Sequence, residues 1–260
     1  MTYHDIETML ATDEFRAVWV AAGQHIQRQV ESGSLAWLRA DLNPPMREHL
    51  SFRIGNQLFF IRITDEDEVV SGPGSLEGLM NLAQCAQGIA CIMPMRKQGQ
   101  SWFPVFPGWG LVEILSGKSI DPLLRVSDEL IVMTDWELQD FAITVVLNYL
   151  KSVNSQVLSS QSNPEVHPSI WFVDADGPSW ILVMPLRYPE NTASLPDLAK
   201  LEKSCKRMSE DAKGYIAWVK VANADDSFDP AAAENNNFME LYRGHGCVVS
   251  FAGLTPIQTN

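Results

Sequence analysis

The sequence feature that most constrains the fold of this chain is an order of patterns that occurs twice in its 260 residues. In each half, a long amphipathic helix pattern precedes a β-hairpin pattern, which a short helix pattern and a further strand pattern follow. Residues 58–63 match residues 180–185 at an offset of 122, and residues 15–30 match residues 138–153 at an offset of 123. Because matches in one shared order indicate a repeated structural unit, we predict an internal duplication.

The predicted fold is of the α+β class, an internal duplication of an α-β-β-α-β-β unit. Hairpins pair neighbouring strands in opposite directions, so we expect mainly antiparallel sheets, with the helices packed on one face. The first repeat is expected over residues 1–120 and the second over residues 121–260. Gly117 and Pro122 mark the expected linker at about 116–128.

The second half gives the clearer version of the pattern. Strands at 170–173 and 179–186 flank an Asp-Ala-Asp-Gly turn, and a helix at 194–210 and a strand at 215–221 follow. Thr134 and Glu137 have the spacing of a capping box, which predicts the start of the long helix, and that helix is expected to end at about 157. Ser194 and Asp197 repeat the spacing at the short helix. In the first half, Gly55-Asn56 predicts a tight hairpin turn.

The charge of the chain excludes some classes of partner. Asp and Glu total 32 against 19 Lys and Arg, for a net charge of −13. Such a field repels nucleic acid and anionic lipid and favours a basic protein partner. Acids near the amino terminus and the short apolar run at 141–147 argue against a leader or a membrane span, so we expect a cytoplasmic protein. The unpaired spacing of the four cysteines predicts buried free thiols in a reducing compartment.

Catalytic and cofactor motifs are absent from the sequence. It contains no Gly-x-Ser-x-Gly, Gly-x-Gly-x-x-Gly or phosphate-loop pattern, and its five histidines lack the spacing of metal ligands. Asp174-x-Asp176-Gly177 begins like a calcium loop, but the twelfth position, where such a loop needs Glu, is Pro185. We therefore expect a hairpin turn at this position, and neither a cofactor nor a metal. The absence of catalytic motifs favours a non-catalytic protein over an enzyme.

Two surfaces are candidates for binding a protein partner. The run at 102–109 contains the aromatic candidates Trp102, Phe106 and Trp109, and its prolines place it at a sheet edge. Packing inside the protein explains the same residues equally. The acidic run at 65–68 contributes Asp65 and Glu66, which are either a solvated rim or a means of steering a basic partner.

The alternative is a small-ligand-binding protein or an enzyme with a pocket at the seam between the two repeats. Its candidate residues are polar groups that all come from the second half: His167, Asp174, Asp176, Arg187 and His245. Arg62 and Arg187 lie near one another in repeat position and are candidates for clamping a carboxylate or phosphate. For His245, between two glycines, a turn that leads into a strand is the competing interpretation.

The order of elements in each half resembles that of the small acidic chaperones of type III secretion, whose helix, hairpin, helix and strand protomers work as homodimers. The resemblance covers element order and no specific motif. It implies a non-catalytic module that binds a protein through acidic and aromatic edge surfaces, either as a homodimer or as a monomer with pseudo-two-fold symmetry. Immunity proteins that neutralise secreted toxins would bind a protein through the same kind of acidic and aromatic surface.

Overall fold

The computed structural model divides the chain at Ile131 into two units. The N-terminal unit is Met9–Ile131, and the C-terminal unit combines Val132–Asn260 with Met1–Thr8. The structure describes residues 2–5, 11–31, 33–40, 48–70, 72–175, 177–226, 228–230, 234 and 238–257. The first strand, β1 (Thr2–Tyr3), pairs with a strand of the C-terminal unit.

The boundary lies beyond the expected linker at 116–128, because that segment is bound to the N-terminal unit. Asn56, in the first hairpin turn, donates from Nδ2 to Ser127 Oγ at 3.0 Å and to the Glu129 carbonyl at 2.8 Å. Asn56 Oδ1 in turn accepts from the Ser127 amide at 3.2 Å. The polar composition of this segment predicted a linker, but its residues Ser127 and Glu129 instead form hydrogen bonds with the first hairpin turn.

The N-terminal unit combines helices with a six-stranded sheet. Its elements are α1 (Asp13–Gln27), β2 (Leu35–Arg39), β3 (Leu50–Ile54), β4 (Gln57–Asp65), α2 (Leu76–Cys85), β5 (Ile89–Gln98), β6 (Ser101–Pro104) and β7 (Val112–Glu113). The strand order is β2-β3-β4-β5-β6, and β7 also pairs with β5. The ladder between β4 and β5 is parallel, and the other ladders are antiparallel.

The C-terminal unit repeats this order around a second six-stranded sheet. Its elements are α3 (Asp135–Ser152), β8 (Gln156–Ser160), β9 (Val166–His167), β10 (Ile170–Asp174), β11 (Gly177–Arg187), α4 (Leu198–Cys205), β12 (Gly214–Asn223), β13 (Cys247–Phe251) and β14 (Thr255–Pro256). The strand order is β8-β10-β11-β12-β13, with β14 also on β12, and β11 and β12 are parallel. The α+β class and the mainly antiparallel pairing are confirmed, whereas descent from one duplicated sequence stays a prediction.

Each unit contains a strand that the sequence patterns did not predict, β2 or β8, between the long helix and the hairpin. In the C-terminal unit, α3 ends at Ser152 instead of continuing to about 157. Asn154, just after the helix, has a φ of 57°. This left-handed conformation ends helices, and Asn adopts it more readily than most residues. The chain then turns into β8.

The short helix α4 begins later than the sequence predicts. Its N-cap is Asp197, whose side chain accepts from the Lys200 amide at 3.0 Å, and not Ser194. Pro196 disfavours the helical conformation of the residue before it, so the helix starts only after the proline. The capping box of Thr134 and Glu137, by contrast, is present as predicted.

The helices pack on both faces of the C-terminal sheet, so the prediction of one helical face is wrong for this unit. In β11, Ile181 and Val183 belong to the core that includes α3, whereas Trp180, Leu182 and Met184 belong to the core that includes α4. Successive strand residues point to opposite faces, so α3 and α4 cover opposite sides of the sheet. The nearly continuous apolar sequence of β11 is the pattern of a strand buried on both faces. Among the described residues, no helix is long and apolar enough to cross a membrane.

Candidate functional site

A cleft in the C-terminal unit is the candidate functional site. It has a volume of about 490 Å³ and lies where the start of α3, the end of β11 and the segment before α4 meet. Its lining residues come from four stretches of the chain: Asp135, Leu138, Gln139, Pro164, His167, Val183, Met184, Pro185, Arg187, Glu190, Ser194, Leu195 and Pro196. The volume is in the range of pockets that hold small molecules.

Arg187, the last residue of β11, is the cationic side chain of the cleft. Its Nη2 donates to the Met133 carbonyl and contacts Asp135 Oδ1 at 3.2 Å. The Asp135 side chain is 87% exposed, whereas that of Arg187 is 22% exposed. An ion pair with such an exposed carboxylate is weak, because water competes for both charges. The backbone contact therefore fixes the guanidinium, and Asp135 is an exchangeable partner.

Two buried nitrogen atoms of cleft residues have no hydrogen-bond partner within the described part of the chain. They are Arg187 Nη1 and His167 Nδ1. Burial lowers the pKa of His167, so its imidazole is neutral at pH 7. Unpaired polar atoms in a protein interior are costly, and they are found where a ligand or water completes the site.

The remaining lining gives the cleft apolar walls and two further charges. Leu138 and Val183 are buried core residues, and Leu195 is partly exposed. Asp135 and Glu190 are carboxylates that line the same cleft as Arg187. The cleft can therefore accommodate an apolar group and offers polar partners of both signs.

A buried ion pair fixes the start of α3 behind the cleft. Arg243 donates from Nε to Glu137 Oε1 at 2.8 Å and from Nη2 to Glu137 Oε2 at 2.7 Å. The side chains are 1% and 7% exposed. Glu137 Oε2 also accepts from the Thr134 amide at 2.9 Å. The capping box predicted from the sequence is thus extended by Arg243, a partner 106 residues away that no local pattern indicates.

Two of the five residues predicted for a ligand pocket, His167 and Arg187, line this cleft. Asp174 and His245 do not. Asp174 accepts hydrogen bonds from Ser179 Oγ at 2.8 Å and Tyr215 Oη at 3.2 Å, as expected of a residue that stabilises a hairpin end. His245 is exposed and its ring packs edge-on against Tyr242, with centroids 5.7 Å apart. Asp176 lies outside the described residues.

The predicted aromatic surface is largely internal. Trp102 and Trp109 are 8% and 5% exposed and belong to the core of the N-terminal unit. Trp109 stacks on Phe52 with ring centroids 6.2 Å apart. Gly108 and Gly110, on either side of Trp109, have φ angles of 68° and 70°, which lets the chain turn this indole inward. Of the three candidates, Phe106 alone is exposed, at 39%.

The two predicted acidic residues are also engaged within the N-terminal unit. Asp65 is buried and accepts from the amides of Asp67, Val69 and Val70 at 3.0–3.1 Å, so it stabilises the turn after β4. Glu66 pairs with Arg96, whose Nη2 donates to Oε1 at 2.7 Å, and this hydrogen bond lowers the pKa of Glu66. Neither carboxylate is a free charge for a basic partner.

The second arginine of the predicted clamp is bound to its own unit. Arg62, in β4, donates from Nη1 to the Pro73 carbonyl at 2.8 Å. It holds the loop before α2 against the strand. Arg187 instead has an unpaired Nη1. The two arginines thus occupy related elements of the two units, and only Arg187 lines the cleft described above.

The cysteines divide into buried and accessible pairs. Cys91 and Cys205 are buried free thiols, and burial raises the pKa of each to about 12. Cys85 is exposed and Cys247 is intermediate in exposure, so the prediction of buried thiols is wrong for Cys85. Cys85 is the last residue of α2 and lies on the outer side of that helix, away from buried Leu79 and Ala83.

Sequence patterns did not predict the other cleft residues. Leu138 and Gln139 are neighbours in α3, Glu190 follows β11, and together they form no motif. Gln139 Nε2 donates to the Val183 carbonyl at 3.2 Å, and this bond joins α3 to β11 at the base of the cleft. The one sequence signal for the cleft was Arg187, a charged residue at the end of an otherwise apolar strand. No group of three or more His, Cys, Asp or Glu among the described residues has metal-binding geometry.

Comparison with known proteins gives one family. Residues 136–257 match a family model described as a domain of unknown function, DUF8840. No curated protein and no solved structure matches the chain. The matched stretch contains every cleft residue except Asp135. The chain is therefore similar to this family over the part of the C-terminal unit that holds the candidate site.

Proposed function

We propose that this chain is a non-catalytic cytoplasmic binding protein whose C-terminal unit holds a small ligand in the cleft. The observation that carries the proposal is the presence of two buried nitrogens without partners, Arg187 Nη1 and His167 Nδ1, in residues that line one cavity. A ligand that accepts from Arg187 and pairs with His167 removes both desolvation costs. The free cysteines support a reducing compartment.

The burial of the predicted partner surface favours the cleft over a protein interface. Trp102, Trp109 and Asp65 are buried, and Glu66 is paired, so four of the five residues expected to contact a partner already have internal roles. Binding through the two tryptophans would require the core of the N-terminal unit to open, and binding through Glu66 would compete with Arg96. The cleft, in contrast, is lined in part by exposed residues, among them Asp135, Ser194 and Leu195.

A fragment screen by ligand-observed NMR tests the proposal on the full chain. We expect hits that Arg187→Met and Ser194→Trp both remove, the first by deleting the guanidinium and the second by filling the exposed rim. Arg62→Met is the matched control, because it removes an equivalent strand arginine outside the cleft and should retain the hits. Thermal unfolding of each variant identifies any that fails to fold. Hits that persist in both cleft variants, or an absence of hits, contradict the proposal.

A protein partner is the second candidate, and two exposed phenylalanines favour it. Phe103 and Phe106 are 47% and 39% exposed, and they lie in or just after β6, at the end of the described sheet order. Exposed aromatic side chains at a sheet edge are typical anchors for a partner. A partner bound stoichiometrically by the wild type and lost from Phe103→Ala/Phe106→Ala, but retained by Val20→Ala, would support this function. Val20 is a matched exposed apolar residue of the same unit, at 52%.

A further inference from the structure

We infer that the ligand of the cleft is a zwitterionic short peptide, with a free amino group, a free carboxylate and apolar side chains. This inference rests on the proposed function and names the chemical class that the cleft accepts.

The charges of the lining select against ligands of a single sign. Arg187 contributes one positive charge, and Asp135 and Glu190 contribute two negative charges. A phosphate or a dicarboxylate would be repelled by both acids, whereas a simple cation would leave Arg187 Nη1 without an acceptor. A molecule that carries one group of each sign complements both halves of the lining.

In the ion pair between Arg187 and Asp135, a ligand carboxylate can replace the Asp135 carboxylate. Asp135 makes a single contact of 3.2 Å with the guanidinium, which the Met133 carbonyl holds in place, and the Asp135 side chain is 87% exposed. A ligand carboxylate can bind Arg187 through two parallel hydrogen bonds, which is a stronger arrangement. Asp135, once displaced, becomes free to pair with the ligand ammonium. Movement of the exposed Asp135 side chain thus provides both a guanidinium for the ligand carboxylate and a carboxylate for the ligand ammonium.

The apolar walls and His167 favour a peptide over a free amino acid. Pro164, Leu195 and Pro196 offer accessible apolar contact for more than one apolar side chain in a cavity of about 490 Å³. The neutral imidazole of His167 has one ring nitrogen, Nδ1, that is buried and unpaired. A peptide bond supplies a further N–H or carbonyl for this nitrogen, whereas the ammonium and carboxylate of a free amino acid are the groups that pair with Asp135 and Arg187.

Isothermal titration of the full chain with leucyl-leucine and its capped derivatives tests the inference. Leucyl-leucine should bind, and both leucyl-leucine amide, which lacks the carboxylate, and N-acetyl-leucyl-leucine, which lacks the ammonium, should bind at least about tenfold more weakly. Free leucine should also bind more weakly than the dipeptide. Equal affinity for capped and uncapped dipeptides, or no binding of any of them at millimolar concentration, overturns the inference.

Paired variants assign each ligand group to its residue. Arg187→Met should weaken leucyl-leucine but not its amide, and Asp135→Asn should weaken leucyl-leucine but not the N-acetyl form. Such coupling between a variant and a ligand group does not arise from a general loss of stability. Arg62→Met serves as the control. If fragment hits depend on Arg187 and Ser194 while no dipeptide binds, the zwitterion is wrong and the proposed function stands; if the hits do not depend on them, the proposed function fails first.

Discussion

Two histidines of the C-terminal unit illustrate how burial decides the role of a residue. His4 and His167 are joined through the backbone, since the His4 amide donates to the His167 carbonyl at 2.7 Å. The His4 ring lies between the Pro168 carbonyl, 3.1 Å from Nδ1, and Ser159 Oγ, 2.6 Å from Nε2. Ser159 is 1% exposed and His4 is partly buried, so this pair of serine and histidine joins the amino-terminal segment to β8.

The pH dependence of stability should reflect the protonation of these two histidines. Burial lowers the pKa of both below the ordinary value of 6.5, although for His4 the Pro168 carbonyl and Asp5 oppose the shift. The unfolded state therefore binds more protons than the folded state just below pH 6.5, and stability should fall as the pH drops through that window. Urea unfolding from pH 7.5 to pH 5 measures the effect. The variant His4→Gln/His167→Gln should lose less stability over this range, and an unchanged slope would contradict the assignment.

The buried ion pair of Glu137 and Arg243 is the second test at this scale. Replacing Arg243 by Met leaves a 7% exposed carboxylate at the start of α3 without its cation, and we expect a loss of roughly 3–5 kcal/mol. Arg125→Met is the control. Its pair with Glu113 leaves the arginine side chain 45% exposed, so that loss should stay within about 1 kcal/mol. Chemical denaturation of both variants makes the comparison, and equal losses would show that burial does not strengthen the pair.

At the scale of elements, the strands that follow the short helices begin against an aromatic ring. A Cβ added to Gly214, the first residue of β12, would lie 2.3 Å from Trp180 Cζ2. A Cβ on Gly88, just before β5, would lie 2.6 Å from Phe60 Cε2. In both units, glycine permits the strand to approach a buried ring of the neighbouring strand. This shared requirement was not visible in the sequence matches.

The glycine contacts lead to a stability prediction. Gly214→Ala should destabilise the C-terminal unit by roughly 1–3 kcal/mol, because the Trp180 ring must move in a packed core. Gly23→Ala is the contrasting control, since nothing lies within 4 Å of its added Cβ in α1. Alanine there should stabilise by about 0.5–1 kcal/mol through its helix propensity. Thermal or urea unfolding distinguishes the two signs, and a neutral Gly214→Ala would show that the ring is free to shift.

The segment after β6 supports a similar test of the aromatic run. Trp109→Ala removes a buried indole that stacks on Phe52, and the free energy of unfolding should fall by roughly 3–5 kcal/mol. Phe106→Ala, on an exposed ring three residues earlier, should change it by less than about 0.5 kcal/mol. Denaturation of the N-terminal unit gives both values. A small effect of Trp109→Ala would return this residue to the list of partner anchors.

At the scale of the whole molecule, the negative charge is concentrated in one unit. The C-terminal unit, with its amino-terminal segment, contains 18 Asp and Glu against nine Lys and Arg, whereas the N-terminal unit contains 14 against ten. Of the net charge of −13, the C-terminal unit therefore carries −9. A ligand that enters the cleft meets this field, which disfavours anions that lack a compensating positive group. The field disfavours a free phosphate and is compatible with the zwitterion proposed above.

The amino-terminal segment should be required for the stability of the C-terminal unit. Its β1 pairs with β9, and the His4 carbonyl accepts from Trp171 Nε1 at 2.7 Å. A chain that lacks residues 1–5 leaves this buried indole N–H and Ser159 Oγ unpaired, at a cost of about 1–3 kcal/mol for each group. Hydrogen exchange measured during denaturation should show lower protection of the amides in the C-terminal unit and unchanged protection in the N-terminal unit. Equal protection in both chains would contradict the role of the segment.

Local patterns in the sequence determined the parts of the fold that depend on neighbouring residues. The Gly55-Asn56 turn fixed the first hairpin, the Thr134 and Glu137 spacing fixed the start of α3, and the apolar periodicity of α1 marked its buried face. These features follow from turn geometry, end capping and the helical period, which act over a few residues. They sufficed for the α+β class. His167 and Arg187, which line the cleft, were predicted only as polar groups of the second half.

The tertiary structure decided which of these residues are near one another. The cleft draws on α3, β9, β11 and the segment before α4, and Arg243 reaches Glu137 from 106 residues away. The same structure placed Trp102, Trp109 and Asp65 inside, and it added residues 2–5 to the C-terminal unit. Burial and long-range pairing depend on how distant elements pack. A single sequence records each side chain and its neighbours along the chain, but not the surfaces that meet when the chain folds.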